Sequence, residues 1–207
     1  MFTGIVEGTA ELIQLENLAG GTNFIFKVPG GMDLKEVNIG DSLAINGVCL
    51  TVTKKTIDIF GVTAVPETLR LTNLGDLTIG QSVNFERAMQ ANSRIGGHWV
   101  QGHIDGLVKV LSLEPDGVAL NMVLSLPEKF KPYLIHKGFV GLDGMSLTIA
   151  GLNSAGINQD NFWVTLIPHT KEVTIAKNYQ IGSLINFEAD MMAKYVERMM
   201  EVKYAKA

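Results

Sequence analysis

The sequence is short of cysteine, of positive charge and of long apolar runs. Its 207 residues include one cysteine, Cys49, which excludes a disulfide framework and a cysteine-rich zinc site. Lys and Arg number 17 against 21 Asp and Glu, without a basic block, which argues against binding nucleic acid by phosphate neutralisation. No apolar run approaches the ~20 residues that a membrane helix needs. The first residues, MFTGIVEGTA, lack the charged and apolar regions of a secretory signal.

These absences predict a cytoplasmic protein with neither a membrane nor a nucleic acid as partner, and a plastid form cut from a precursor is the alternative. Hydrophobic residues make up 46% of the chain, which is enough for buried cores. Walker A, Rossmann-glycine and GxSxG motifs are all missing, so the enzyme classes that they mark are not favoured. A metal site at His98 and His103 is not expected, because no third ligand lies at a suitable spacing.

The chain contains an internal repeat. Four blocks of the first half recur in the same order in the second half, 97 to 102 positions later. The pairs are FTGIVEG and VQGHIDG (2–8 and 100–106), NGVCLTV and DGMSLTI (46–52 and 143–149), VTAVPET and VTLIPHT (62–68 and 164–170), and IGQSVNFE and IGSLINFE (79–86 and 181–188). One match could arise by chance, but four in register indicate a tandem duplication. Two long repeats predict two similar domains rather than a solenoid.

Each repeat has the pattern of a small all-β domain. Short runs rich in Val, Ile, Thr and Phe alternate with turns of Gly, Asn and Asp, at a spacing of roughly 8–12 residues. This pattern predicts about six strands in each half, arranged as a barrel or a sandwich. We expect one domain over residues 1–95 and a second over 96–189, with the boundary in the polar linker ANSRIGG.

Residues 190–207 form a separate segment. They contain no Gly or Pro and are rich in helix formers, and Asp190 is a plausible N-cap. Helical spacing places five apolar side chains on one face, namely Met192, Tyr195, Val196, Met199 and Met200. The helix either packs on its own barrel or makes a contact between subunits, since it has no counterpart after the first repeat.

The duplication points to two related binding sites, for two copies of one molecule or for one ligand that bridges two half-sites. Matched positions differ in their polar atoms, because Cys49 matches Ser146 and Ile5 matches His103. Cys49 is either a buried small side chain or a thiol in a pocket wall, and the matching serine argues against a required thiolate. His103, between two glycines, is either structural or a base that a ligand approaches closely.

Taken together, these blocks resemble the riboflavin synthase family of the α-chain type, a family of lumazine-binding tandem barrels. The resemblance covers about residues 1–190 and rests on MFTGIVEG, NGVCLTV, PETLRLTNLG, GGHWVQGHIDG, KGFVGLDGMSLTI and LIPHT. It implies two six-stranded Greek-key barrels of the flavin-reductase-like type and a C-terminal helix that holds a homotrimer. It also implies a transferase without cofactor or metal, and lumazine synthase as a candidate partner.

In the implied reaction, one 6,7-dimethyl-8-ribityllumazine donates a four-carbon unit to a second. The products are riboflavin and 5-amino-6-ribitylamino-2,4(1H,3H)-pyrimidinedione. The implied site lies between the first barrel of one subunit and the second barrel of its neighbour. The alternative is a non-catalytic lumazine- or flavin-binding protein of the antenna type. The sequence favours the enzyme, because the polar residues of both duplicated motifs are present.

The resemblance also implies which residues form the site. Catalytic roles fall to His103, as the base, and to Cys49, Ser146, Thr148 and Asp190. In the first barrel the implied substrate contacts are Phe2, which is expected to cover a ring face, and Gly4, Ile5, Val6, Leu50, Thr51, Thr63, Ala64, Val65, Pro66, Glu67 and Thr68. In the second barrel they are Gly102, Ile104, Lys137, Leu147, Thr165, Leu166, Ile167, Pro168, His169 and Thr170.

Overall fold

The structure is a computed structural model that describes residues 1–29, 32, 34–153 and 160–204. Within these residues the chain forms two closed six-stranded antiparallel barrels, followed by one long helix. This arrangement confirms the predicted all-β class with its tandem barrels and C-terminal helix. The domain limits proposed from the sequence, 1–95, 96–189 and 190–207, stay a prediction.

The first barrel is a Greek key. Its strands follow the order β1-β2-β5-β4-β3-β6, so that β6 lies beside β3 after three strands joined by hairpins. The strands are β1 (Gly8–Leu18), β2 (Gly21–Lys27), β3 (Ser42–Ile45), β4 (Val48–Lys55), β5 (Ile59–Ala64) and β6 (Ser82–Arg87). A short helix, α1 (Pro66–Leu71), and a 3-10 turn (Asn73–Asp76) connect β5 to β6.

The second barrel repeats this topology. Its strands are β7 (Gly106–Asp116), β8 (Ala119–Ser125), β9 (Phe139–Leu142), β10 (Met145–Asn153), β11 (Asn161–Leu166) and β12 (Leu184–Ala189). The helix α2 (Pro168–Val173) and a 3-10 turn (Ile175–Asn178) correspond to the elements after β5, and a further 3-10 helix (Glu128–Tyr133) lies between β8 and β9. The matching topology is the structural counterpart of the repeat.

Each barrel closes around its own apolar core. Along β4 the buried Val48, Leu50 and Val52 alternate with the outward-facing Cys49 and Thr51, as the period of a strand requires. In the first barrel Phe60 stacks on Phe26 and packs at a tilt against Phe85, and a second phenylalanine cluster lies in the other barrel. Since burying one such ring contributes about 1.5–3 kcal/mol, these clusters are main stabilising elements.

The two barrels meet at the β3–β4 and β9–β10 turns. Asn46-Gly47 and Asp143-Gly144 have positive φ throughout, which is the type I′ geometry expected of Asn-Gly and Asp-Gly hairpins. The turns touch, because a Cβ added to Gly47 would lie 2.5 Å from the Gly144 nitrogen. The approach therefore requires glycine.

A buried polar network joins the barrels around these turns. Asn84 donates from Nδ2 to the Asp143 carbonyl and Asn186 donates from Nδ2 to the Asn46 carbonyl, each at 2.8 Å. The Asp143 carboxylate accepts hydrogen bonds from the Asn186 amide (2.8 Å) and the Tyr179 hydroxyl (2.7 Å). Burial raises the pKa of Asp143 to about 7, although these hydrogen bonds act to lower it.

The helix α3 (Met191–Tyr204) begins at Asp190, whose side chain accepts a hydrogen bond from the Met192 amide (2.9 Å), as predicted for an N-cap. Its polar side lies on the second barrel, where Tyr133 donates to Glu197. The predicted apolar face is exposed, and Met199 is 72% exposed. The interpretation in which this face packs on its own barrel is therefore wrong. Residues 205–207 of the predicted segment lie outside the described residues. In the part of the chain described, no helix is long and apolar enough to cross a membrane.

Candidate active site

Each of the two segments that precede a barrel crosses over and packs on the other barrel. Gly4 precedes the first barrel, yet its carbonyl accepts a hydrogen bond from the Ser146 amide on β10 of the second barrel (2.7 Å). Gly102 precedes the second barrel, yet its carbonyl accepts a hydrogen bond from the Cys49 amide on β4 of the first (2.9 Å). We call residues 2–7 and 100–105 the first and second crossing segments. Each candidate half-site is therefore built from both repeats.

The crossing requires glycine at one position in each segment. Gly4 has φ +72° and Gly102 has φ +79°, a region that favours glycine. A Cβ added to Gly4 would lie 2.6 Å from the Ser146 Cβ, and one added to Gly102 would lie 2.6 Å from the Cys49 Cβ. These contacts bring the backbone of one repeat directly against β10 or β4 of the other.

This crossover corrects the assignment of the predicted site residues to the two barrels. The sequence assigns residues 4–6 to the first barrel and residues 102–104 to the second. In the structure, Val6 packs on the core of the second barrel and Ile104 on the core of the first. His103 therefore belongs with Cys49 rather than with Ser146. Periodicity could not reveal this, because crossing over leaves the spacing of every motif unchanged.

The Cys49 half-site consists of Cys49 and Thr51 on β4, Thr63 on β5 and His103 of the second crossing segment. Pairing of β4 with β5 begins only at Val52, so β5 leaves a gap beside Cys49 and Thr51, and Gly102 fills part of it through its hydrogen bond with the Cys49 amide. The thiol is half-buried and His103 is exposed. A flat ligand in this gap could pair with strand amides and reach both side chains.

The Ser146 half-site is the counterpart on the second barrel. It consists of Ser146 and Thr148 on β10, together with Ile5 and Val6 of the first crossing segment. Pairing of β10 with β11 begins only at Ile149, which leaves the equivalent gap beside Ser146 and Thr148, partly filled by Gly4. Ile5 is 51% exposed and therefore presents an apolar surface at the rim.

The Ser146 half-site also contains a serine–histidine pair. His98 Nδ1 lies 2.7 Å from Ser146 Oγ, and the imidazole stacks on Phe139 with centroids 5.2 Å apart. Burial lowers the pKa of His98, and the Asp190 charge partly opposes this shift. His98 Nε2 is buried without a hydrogen-bond partner in the described residues. A neutral imidazole in this position can accept the serine proton and activate the hydroxyl.

Two buried carboxylates hold the crossing segments. Glu86 accepts hydrogen bonds from the amides of Thr3 (2.7 Å) and Gly4 (3.1 Å). Glu188 accepts the equivalent pair from the second crossing segment at 2.7 and 3.0 Å. Burial raises the pKa of both carboxyls to about 7, while the amide hydrogen bonds act to lower it. Each barrel thus anchors its own segment before that segment crosses to the other barrel.

Four predicted contacts are core residues. Leu50 and Ala64 point into the first barrel and Leu166 into the second. Phe2 is fully buried against Ala44 and Val100. The prediction that Phe2 covers a ring face is therefore wrong, because the Phe2 side chain joins the two crossing segments. Strand alternation identifies the other three as inward-facing.

The remaining predicted contacts lie on β4, β5, β10 and β11 or directly after them. Leu147 packs partly on the second core, and Thr51 and Thr148 are exposed on their strands. The Thr63 and Thr165 hydroxyls donate to the side chains of neighbouring asparagines at 2.6 and 2.7 Å. The other predicted contacts lie at the starts of α1 and α2, directly after β5 and β11, namely Val65, Pro66, Glu67, Thr68, Ile167, Pro168, His169 and Thr170.

Lys137 stands out by its backbone. It has φ +66°, where the first barrel has Gly40 at φ +96°. In both places the amide donates to the strand that follows, from Lys137 to the Ile149 carbonyl and from Gly40 to the Val52 carbonyl, each at 2.9 Å. A lysine in the left-handed region costs about 1–3 kcal/mol, which is tolerated most often at functional positions.

Comparison with known proteins agrees with this geometry. A family model described as a lumazine binding domain matches residues 3–88 and, a second time, residues 101–190. The riboflavin synthase of Bacillus subtilis (strain 168) is 41% identical over 200 residues, which cover 97% of this chain and 90% of that protein. This chain belongs to the riboflavin synthase family.

Other relatives extend this result. The riboflavin synthase of Mycobacterium tuberculosis is 40% identical, covering 97% of this chain and 98% of that protein. That of Schizosaccharomyces pombe is 36% identical, covering 99% and 96%. The solved structure of LumP complexed with riboflavin matches with a TM-score of 0.80 at 22% identity, covering 91% of this chain and 99% of that one. A LumP complex with 6,7-dimethyl-8-(1'-D-ribityl) lumazine matches with a TM-score of 0.77. At this identity the LumP structures show the shared fold alone.

Proposed function

We propose that this member of the family is an active riboflavin synthase, which transfers a four-carbon unit between two molecules of 6,7-dimethyl-8-ribityllumazine. The observation that carries the proposal is the presence of two matching half-sites with different reactive groups. In one half-site Cys49 lies against the crossing segment that carries His103. In the other the Ser146 hydroxyl is within hydrogen-bond distance of His98. Similar walls suit two identical substrates, and different reactive groups suit a donor and an acceptor.

The two barrels serve to bring two reactants together. Each gap would hold one lumazine, with the strand amides near Thr51 and Thr148 reading its pyrimidine edge. Holding two molecules in a reactive orientation removes up to roughly 7–11 kcal/mol from the barrier of a bimolecular step. The exposed threonines and Glu67 provide oxygen atoms for the ribityl hydroxyls.

The chemistry needs a base and a nucleophile. A methyl proton of lumazine is acidic because its carbanion delocalises into the ring, and His103 would accept it. The other lumazine is attacked by an oxygen or sulfur nucleophile, for which the Ser146 hydroxyl beside His98 is best prepared. Two lumazines supply every atom of riboflavin and the pyrimidinedione, so no further reactant is required.

We further propose that the active form is a homotrimer. The exposed apolar face of α3 supports self-association, since an unpartnered stripe of this size is costly in water. In the trimer, the Cys49 half-site of one subunit would face the Ser146 half-site of its neighbour. A cytoplasmic location and an association with a lumazine synthase that delivers the substrate complete the proposal.

Incubation of the purified protein with 6,7-dimethyl-8-ribityllumazine alone tests the function. The proposal expects riboflavin to appear in proportion to protein concentration. Lumazine binding, seen as a change in ligand fluorescence, without any riboflavin would reject the enzyme in favour of a binding protein of the antenna type.

A further inference from the structure

Each crossing segment ends in an acidic residue that forms an ion pair with a basic side chain. The basic partners lie on different elements in the two repeats. Glu7, in the first segment, pairs with Arg87 of β6 in the barrel that it precedes (2.8 Å). Asp105, in the second segment, pairs instead with Lys194 of α3 (2.7 Å). The repeat is therefore asymmetric at this point, and among the described residues only the second crossing segment forms an ion pair with the C-terminal helix.

Asp105 is a junction of several bonds. Its second carboxylate oxygen accepts a hydrogen bond from the Ala189 amide (2.9 Å), and its own amide donates to the Phe187 carbonyl (2.9 Å). The Lys129 ammonium donates to its carbonyl (3.2 Å). Both side chains of the pair with Lys194 are about a quarter exposed, so the pair is less screened by solvent than a fully exposed one.

His103 depends on this junction because it lies two residues before Asp105. Its side chain is exposed, so its position follows that of the crossing backbone. That backbone is fixed on one side by the bond between Gly102 and Cys49, and on the other by Asp105. A shift at Asp105 would therefore move His103 relative to the Cys49 half-site.

We propose that Lys194 is a positioning residue, which acts through Asp105 to hold His103 at the Cys49 half-site. The helix whose apolar face is available for assembly would then also set the geometry of the reaction site. This inference rests on the proposed function, because it assigns Lys194 a part in the same reaction.

The test compares Lys194→Met with Lys194→Arg and with a control, Lys27→Met. Lys27 forms an exposed ion pair with Asp58 at 3.7 Å on the first barrel, so its loss should leave turnover unchanged. We expect Lys194→Met to lower kcat by about tenfold with little change in KM, since small displacements of a catalytic group are costly. Lys194→Arg should restore most of the rate. The double variant Lys194→Met with Asp105→Asn should be no slower than the slower single variant.

Two further readouts separate positioning from a role in assembly. The mass in solution of Lys194→Met should equal that of the wild type, while amide exchange over residues 102–105 should be faster. Wild-type kcat, unchanged exchange or dissociation of Lys194→Met would each overturn the inference. If the wild type makes no riboflavin, the proposed function fails, and the exchange experiment still tests whether Lys194 fixes the segment.

Discussion

The carbonyl of Gly102 accepts a hydrogen bond from the amide of Cys49 at 2.9 Å, although the two residues come from different repeats. Gly4 and Ser146 form the mirror contact. Neither barrel alone can build its half-site, because each needs a segment that precedes the other barrel. The duplication has thus produced two barrels that depend on each other for their half-sites.

Alanine at Gly4 or Gly102 should strongly destabilise the protein. The positive φ and the 2.6 Å approach to the opposite Cβ act together, so we expect a loss of at least about 2 kcal/mol in the free energy of unfolding. Gly80→Ala is the matched control, because Gly80 has φ +92° with no atom within 4 Å of an added Cβ. Urea unfolding measures all three variants. Equal losses for Gly80→Ala and Gly102→Ala would show that strain, rather than the crossing contact, dominates.

Ser146→Ala should lower kcat by about a hundredfold if the hydroxyl is the activated nucleophile. His98→Ala should give a similar loss, and the double variant should be no slower, because the two side chains form one unit. Cys49→Ser should stay within a fewfold of the wild type, since a serine already occupies the matching place in the other barrel. Steady-state kinetics with lumazine measures these rates. A Ser146→Ala variant that keeps most of the wild-type kcat would show that water, rather than Ser146, is the nucleophile.

The protein should be more stable at pH 5 than at pH 8. Glu86 and Glu188 have pKa values of about 7 in the folded state against 4.5 ordinarily, and Asp143 has a pKa of about 7 against 3.8. Between these values the folded state binds more protons than the unfolded state, so the free energy of unfolding falls as the pH rises towards 7. The loss is up to about 3 kcal/mol for each glutamate.

Asp143→Asn should fold and should show a smaller pH dependence. Asn46 already holds the equivalent turn position, and an amide at residue 143 could donate to the Tyr179 hydroxyl oxygen. Asp58→Asn, in an exposed ion pair, is the control and should leave the slope unchanged. The urea concentration at the unfolding midpoint, measured from pH 5 to pH 8, gives this pH dependence for each variant. A wild-type midpoint that rises from pH 5 to pH 8 would mean that these carboxyls are already ionised in the folded protein at pH 5.

Met199→Asp should convert the proposed trimer to monomers. The side chain lies on the exposed face of α3, so the substitution leaves the contacts of α3 with its own barrel intact. Val118→Asp, at another exposed apolar position, is the control. Light scattering gives the mass of each variant, and turnover should fall with trimer content. A trimeric Met199→Asp protein would place the subunit contact elsewhere.

The sequence predicted those parts of the molecule that depend on local pattern. The short strand runs, the turns of Gly, Asn and Asp between them and the Asp190 cap are encoded within a few residues, and all three are present in the structure. Contacts between distant residues could not be predicted from the sequence. The exchange of crossing segments, the burial of Phe2 and the hydrogen bond between His98 and Ser146 each join residues more than 40 positions apart. No period or propensity records such contacts.

Quantitative chromatography of a reaction that starts from 6,7-dimethyl-8-ribityllumazine alone is the most direct test of the account. Two half-sites with a donor and an acceptor role predict one riboflavin and one pyrimidinedione for every two lumazines consumed. Riboflavin formed without the pyrimidinedione, or lumazine bound and recovered unchanged, would contradict the dismutation and with it the distinct roles of the two half-sites.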